Sequence, residues 1–174
     1  AARGLQTGIA RFVLQAEVTM LFLIFQIGND VYAIDAHEVE QVLPLVHYKQ
    51  IPHAPAGLAG LFNYHGTLVP LLDLTELALG RQSALKMSTR IILVNHGRQS
   101  GEKHLVGLVA ERVMETLRRE KAELSDSGIG ADGSPYLGAI TIDGDRIIQQ
   151  IDVRRLLPAA LEDQLFRDLV SSTR

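Results

Sequence analysis

Met20-Leu21-Phe22-Leu23-Ile24-Phe25-Gln26-Ile27 has the length of a β-strand, yet both of its alternating faces are apolar. A strand with one face in water alternates apolar and polar residues, whereas one buried on both faces does not. This run therefore asks for a core on each side, supplied by another barrel or by a partner. Gly28-Asn29-Asp30 bounds it and Val31-Tyr32-Ala33-Ile34 follows at once, so the pair reads as a β-hairpin.

The same build recurs along the chain. Thr89 to Asn95 and His104 to Ala110 are apolar runs on either side of a polar, glycine-containing turn. Tyr136 to Ile142 and Arg146 to Ile151 flank Asp143-Gly144-Asp145, whose Asp-Gly pair favours a tight reversal. A further hairpin spans Gly57 to Asp73, with a polar apex, Asn63-Tyr64-His65-Gly66, between the arms Leu61-Phe62 and Leu68-Val69, Leu71-Leu72. Val113 to Leu117 alternates as a strand, although Met114, Leu117 and Lys121 also suit a helix.

Three aspartates stand where strands give way to other structure. Asp35 with Glu38 has capping-box spacing and predicts a helix carrying Val39, Val42 and Leu43, stopped by Pro44. Asp73 with Glu76 predicts a short helix over Leu74 to Leu79, closed by Gly80. Asp152 starts a short helix ended by Pro158, and Ala159 to Val170 forms an amphipathic helix with Leu161, Leu165, Phe166 and Leu169 on one face. That face can lie on the domain or on a second copy, so self-association stays open. Leu45 to Ile51 reads as an extended link; Pro52 to Pro55, residues 81–88 and Ser125 to Ser134 read as loops. Residues 1–19 read as an upstream extension, with a short helix around Ile9 to Val18 as the alternative, and 167–174 as a tail.

Each half of the chain carries a strand, a turn, a second strand and, later, a strand running into an aspartate cap: Pro70 to Leu77 in one half, Gln150 to Leu156 in the other. The expected fold is mainly β, two similar small units sharing one core as closed or nearly closed barrels.

With 174 residues and 47% apolar content, one domain with a sizeable core is expected. A net charge of -3 and no basic cluster larger than Arg118-Arg119 give no footprint for nucleic acid or an anionic membrane. Cysteine is absent, which excludes disulfides, thiolate metal sites and thiol nucleophiles and suits the cytoplasm. The apolar run from Met20 to Phe25 is far short of the roughly 20 residues that span a bilayer, so no membrane insertion is expected.

Six histidines, at 37, 47, 53, 65, 96 and 104, lack metal-ligand spacing, so no metal or cofactor is expected. No nucleophile elbow, phosphate loop or dinucleotide fingerprint occurs. Asp35, Asp73 and Asp152 are accounted for as caps. An enzyme would need a convergent set drawn from residues such as His37, His65, Asp35 and Asp73.

Phe25-Gln-Ile-Gly-Asn-Asp-Val-Tyr-Ala-Ile-Asp35 with Val39 and Val42, then Pro52-His-Ala-Pro55, Gly60 to Leu74, and Val106-Gly-Leu-Val-Ala-Glu-Arg-Val113, in this order and spacing, resemble the CheW-like domain. The resemblance spans about Met20 to Phe166. It implies two SH3-like five-stranded barrels around a shared hydrophobic core, with short helices, a C-terminal helix and no catalysis. It also implies a cytoplasmic adaptor that binds the regulatory domain of a CheA-type histidine kinase and a chemoreceptor's cytoplasmic tip. The matching contact positions are Val39, Gln41, Gly60, Asn63, His65, Gly66, Val106 and Gly107.

The chain departs from that pattern at two places together. The family usually has Asn-Leu-Arg-Gly at the apex, its arginine paired with a glutamate at the position of Gln41; here the apex residue is His65. A neutral Gln41-His65 hydrogen bond is expected in place of the ion pair. The paired change suggests a specialised, non-flagellar or surface-sensing pathway.

Overall fold

The computed structural model describes residues 18–97, 103–126, 128 and 133–171. The readings over residues 1–17 and over most of the 127–132 loop lie outside the described residues. Ten strands and two α-helices follow one another: β1 (Thr19–Ile27), β2 (Asp30–Asp35), β3 (Val39–Pro44), β4 (Leu58–Tyr64), β5 (Thr67–Asp73), α1 (Leu74–Leu79), β6 (Arg90–Gly97), β7 (Lys103–Ala110), β8 (Arg112–Glu120), β9 (Leu137–Asp143), β10 (Arg146–Ile151) and α2 (Ala159–Ser171). Single 3-10 turns occupy Ala36–Glu38, Lys121–Glu123 and Val153–Arg155.

The strands form two five-stranded sheets, β8-β1-β2-β10-β9 and β3-β6-β7-β5-β4. Taking β1 to β5 as one half of the chain and β6 to β10 as the other, each sheet holds the first two strands of one half and the last three of the other. Both have the same internal order, third-first-second-fifth-fourth, and in both the fifth strand runs parallel to the second. The two similar units are therefore present, with their last three strands exchanged.

Neither hydrogen-bonded ladder closes by itself. In each sheet the segment after the outer strand folds over and makes one bridge to the opposite edge: Ser125 after β8 pairs with Ile140 of β9, and Lys49 after β3 pairs with Leu61 of β4. Each sheet is thus curled into a nearly closed, SH3-like barrel.

The apolar run that opens the fold is used on both faces. Phe22 and Ile24 point into the first barrel with Ala33 and Ile148, while Leu23, Phe25 and Ile27 enter a core shared with the other sheet. β6 does the same: Ile91 and Leu93 fill the second barrel with Phe62, Val69 and Leu71, while Ile92 and Val94 join the shared core. Burial of strands on both faces is thus satisfied within the chain. The α2 face carrying Leu161, Leu165 and Phe166 also packs on the shared core, so the helix covers its own domain.

The aspartate caps are present. Asp35, Asp73 and Asp152 each accept a backbone N–H two residues on, at 3.0, 2.9 and 3.0 Å. Gly80 closes α1 in the left-handed region. The helix expected over Val39 to Leu43 is absent: the Asp35 cap starts a single 3-10 turn, after which the chain pairs with β6 as strand β3, Gln41 opposite Leu93 and Pro44 opposite Arg90. A row of ladder bonds to β6 outweighs a cap and an apolar spacing that suited a short helix. Val113 to Leu117 is strand, within β8.

Gly60 lets the second barrel close. A Cβ there would sit 2.2 Å from the Lys49 carbonyl oxygen, at the bridge between the folded-over segment and β4. Replacing it by alanine forces that bridge apart, so Gly60→Ala is expected to cost about 1–3 kcal/mol, read as a lowered urea midpoint with an unchanged m-value. A midpoint equal to wild type would show that the segment moves aside freely.

Candidate functional site

The β4-β5 hairpin reverses over two residues, His65 and Gly66, both with positive φ (49° and 89°) and closed by the Tyr64-Thr67 pair. This matches the twist of the strands and favours glycine or asparagine at both places. Histidine in the left-handed region costs about 1–2 kcal/mol. Two contacts hold the apex. Asn63 Oδ1 accepts the Gly66 N–H at 2.7 Å, and the Tyr64 ring meets the His65 ring edge-on at 4.5 Å.

Tyr64 also donates its hydroxyl to Gln41 Oε1 at 2.8 Å, tying the hairpin to β3 across the open side of the barrel. The expected Gln41-His65 hydrogen bond is therefore corrected: Gln41's partner is Tyr64. Tyr64 is the last residue of β4 and has the reach of a phenol, whereas His65 lies in the reversal and stands exposed. The surface here comprises exposed Gln41, Asn63, His65 and Gly66, with half-buried Val39 and Tyr64 beside them.

Three expected contact residues lie elsewhere. Val106 is 1% exposed and belongs to the shared core. A Cβ on buried Gly107 would press on Leu71, Phe62 and Ile91 at 2.8 to 3.0 Å. Gly60 is buried under Lys49. Val106 and Gly107, consecutive in β7, point to opposite faces, one into the shared core and the other into the second barrel, so both are covered because β7 is buried on both faces.

A second surface went unread in the sequence, where residues 81–88 passed as a polar loop. Leu85 and Met87 there are 73% and 94% exposed, and Leu85 lines a shallow groove with Val46 and the segment bearing Tyr48 and Lys49. The signal available was two large apolar residues in a stretch with no strand or helix period to bury them. The loop is anchored at several points. Glu111 accepts from Arg81 at 2.8 Å and from the Ala84 N–H at 2.9 Å, and its carbonyl accepts from Ser88. The Asp73 carboxylate, besides capping α1, accepts from the Ser83 N–H and hydroxyl. The Arg81 guanidinium, then the Ala84 N–H, hold the Glu111 carboxyl below the usual carboxylate range.

Catalytic geometry is not assembled around the titratable groups considered above. His37 Nδ1 lies 3.0 Å from Asp35 Oδ1, but this is a contact two residues apart at an exposed cap. His65 and Asp73 lie at opposite ends of the β4-β5 hairpin. Among the described residues no group of three or more His, Cys, Asp or Glu could hold a metal ion, and no helix is long and apolar enough to cross a membrane.

The architecture is a pair of SH3-like barrels with exchanged strands around a shared core. The chain belongs to the CheW-like domain family, whose model matches residues 21–161. It is 26% identical over 138 residues to the chemotaxis protein CheW of Klebsiella aerogenes, covering 78% of this chain and 80% of that one. It is 22% identical over 156 residues to the protein FrzA of Myxococcus xanthus, covering 88% and 94%. The crystal structure of the scaffolding protein TtCheW from Thermoanaerobacter tengcongensis has the same fold, with a TM-score of 0.67 at 21% identity over 77% of this chain and 84% of that one.

Two outcomes follow from the geometry. His65→Asn supplies the residue that the two-residue turn favours and is expected to raise stability by roughly 0.5–1 kcal/mol, read as a higher thermal midpoint. Glu111→Ala strands the Ala84 N–H and is expected to cost about 1–3 kcal/mol, with faster amide exchange at Ala84. Because folding lowers the Glu111 pKa, its contribution is complete above the ordinary carboxylate value, about 4.3, and is lost as pH falls through the lowered value. Loop protection in the wild type is therefore expected to fall on acidification and to be already low in the variant.

Proposed function

We propose that this chain is a non-enzymatic adaptor that couples a chemoreceptor to a CheA-type histidine kinase in a chemosensory array on the cytoplasmic side of the membrane. The observation that carries the reading is the pairing of two firmly held surfaces at opposite ends of β5 in one barrel. The hydrogen-bonded apex lies beyond Thr67, and the apolar loop is anchored at Asp73. An adaptor must hold two partners at a set distance, and rigid surfaces on one barrel do that without moving parts.

Leu85, Met87 and Val46 form the surface assigned to the kinase regulatory domain. Exposed aliphatic side chains on an ordered loop suit burial against another folded β-domain. Val39, Gln41, Asn63, His65 and Gly66 form the surface assigned to the receptor tip, with Tyr64 as its brace. Gly60, Val106 and Gly107 act through packing. The membership of the CheW-like family and the likeness to chemotaxis CheW proteins support the adaptor reading.

The Tyr64-Gln41 bond replaces a charge pair with a neutral one, leaving His65 free to meet a partner. This is the basis for assigning the adaptor to a specialised, non-flagellar or surface-sensing pathway with its own kinase and receptor.

Burying a side chain of leucine or methionine size is worth about 1.5–3 kcal/mol. Leu85→Asp with Met87→Asp is therefore expected to weaken binding to the cognate kinase regulatory domain at least tenfold while leaving thermal unfolding unchanged. His65→Glu should weaken binding to a receptor tip fragment and spare the kinase. Both are measured by titration calorimetry with the purified partners; wild-type affinities in both variants would sink the assignment. For the pathway, equal affinity for a flagellar chemotaxis kinase and for the kinase captured from native cells would remove the case for specialisation.

A further inference from the structure

We infer that Met87 is an oxidation site, and that its conversion to the sulfoxide releases the adaptor from its kinase while leaving the fold intact. The inference rests on the proposed docking of Leu85, Met87 and Val46 against the kinase regulatory domain.

The chain has no cysteine, so its oxidisable sulfur is confined to three thioethers, Met20, Met87 and Met114. They are not equivalent. Met20 and Met114 are half-buried and pack against the Phe22, Ile24, Ala33 and Ile148 cluster of the first barrel. Met87 is 94% exposed, so a small oxidant meets its sulfur without any opening of the fold.

The backbone fixes that exposure. Met87 is the second residue of the turn from Lys86 to Thr89, closed by the Thr89 N–H on the Lys86 carbonyl at 3.0 Å, while the Lys86 N–H donates to Thr89 Oγ1 at 3.0 Å. The Thr89 hydroxyl donates to the Ala84 carbonyl at 2.6 Å, and Ser88 donates to the Glu111 carbonyl at 3.0 Å. The Met87 carbonyl itself accepts from the Arg90 guanidinium at 2.5 Å. None of these bonds uses the sulfur, so the turn survives its oxidation.

The oxidant is a hydroperoxide, hydrogen peroxide in the simplest case. A sulfur lone pair attacks one peroxide oxygen; the S–O bond forms as the O–O bond breaks, and the departing oxygen takes the proton of the transferred one and leaves as water. Sulfur loses two electrons and the peroxide gains them. A polar, chiral sulfoxide then stands where an apolar thioether stood. On the free protein that oxygen faces water at no cost to folding. At the docking surface it must be desolvated, and a partner surface matched to apolar Leu85 and Val46 offers it no donor, so binding is opposed. Sulfoxide reductases, one for each epimer, reverse the change.

The test treats the full chain with hydrogen peroxide, which catalase removes before any partner is added. Peptide mass mapping is expected to find one added oxygen on Met87 before Met20 or Met114. Calorimetry should then show affinity for the regulatory domain of the kinase captured from native cells reduced at least about tenfold, with thermal unfolding and binding to a receptor tip fragment unchanged. Incubation with both sulfoxide reductases should restore it. In Met87→Leu, treated and untreated samples should bind alike, whereas Met20→Leu should keep the full response. Earlier oxidation of Met20 or Met114, kinase binding by the oxidised chain equal to that of the untreated chain, or a full peroxide response in Met87→Leu would each overturn the switch alone. Wild-type affinity in Leu85→Asp with Met87→Asp would instead remove the docking reading, and the switch with it.

Discussion

Burial of β1 and β6 on both faces is the constraint on which the rest of the molecule depends. Each strand gives alternate side chains to its own barrel and to the core between barrels: Phe22 and Ile24 against Leu23, Phe25 and Ile27, and Ile91 and Leu93 against Ile92 and Val94. At about 1.5–3 kcal/mol for each large side chain, neither sheet would tolerate its second face in water. The exchange of strands makes the two halves of the chain inseparable, because parting β1–β5 from β6–β10 requires breaking both sheets.

That rigidity reaches the surface through small devices. Gly60 admits the Lys49 carbonyl and closes the barrel. Asp73 joins α1 to the following loop, and Glu111 holds the same loop from the end of β7. At the other end Asn63 and Tyr64 hold His65 in a backbone conformation it would not choose. Strain of this kind persists only where neighbours over-determine it, and it lies here at the exposed apex of the β4-β5 hairpin.

The hairpins and all three aspartate caps were legible because they rest on local signals: a period of two, a turn residue, an acceptor followed by N–H groups two or three residues on. Val39 to Pro44 was misread because its capping signal and apolar spacing are local, while its pairing with β6 depends on residues about fifty positions away. Val106 and Gly107 are expected contact positions, yet β7 is a central strand with the shared core on one face and the barrel interior on the other, so both are covered. The partner of Gln41 was misassigned by one residue, since the reach of Tyr64 across the barrel seam shows only when β3 and β4 are brought together. Leu85 and Met87 passed unnoticed because a loop has no period against which an exposed apolar residue stands out.

By itself, the sequence determined that the chain is a mainly β protein of two similar units with a shared core, that Asp35, Asp73 and Asp152 are caps, and that its family pattern is CheW-like. The tertiary structure alone decided that the halves exchange strands, that β3 is an edge strand, which family positions face outward, and that an apolar loop is anchored by Glu111. The division follows the range of the interactions. Turn, cap and periodicity act within a few residues and are written locally, whereas edge, face and exposure are properties of strands that meet only after the chain has folded.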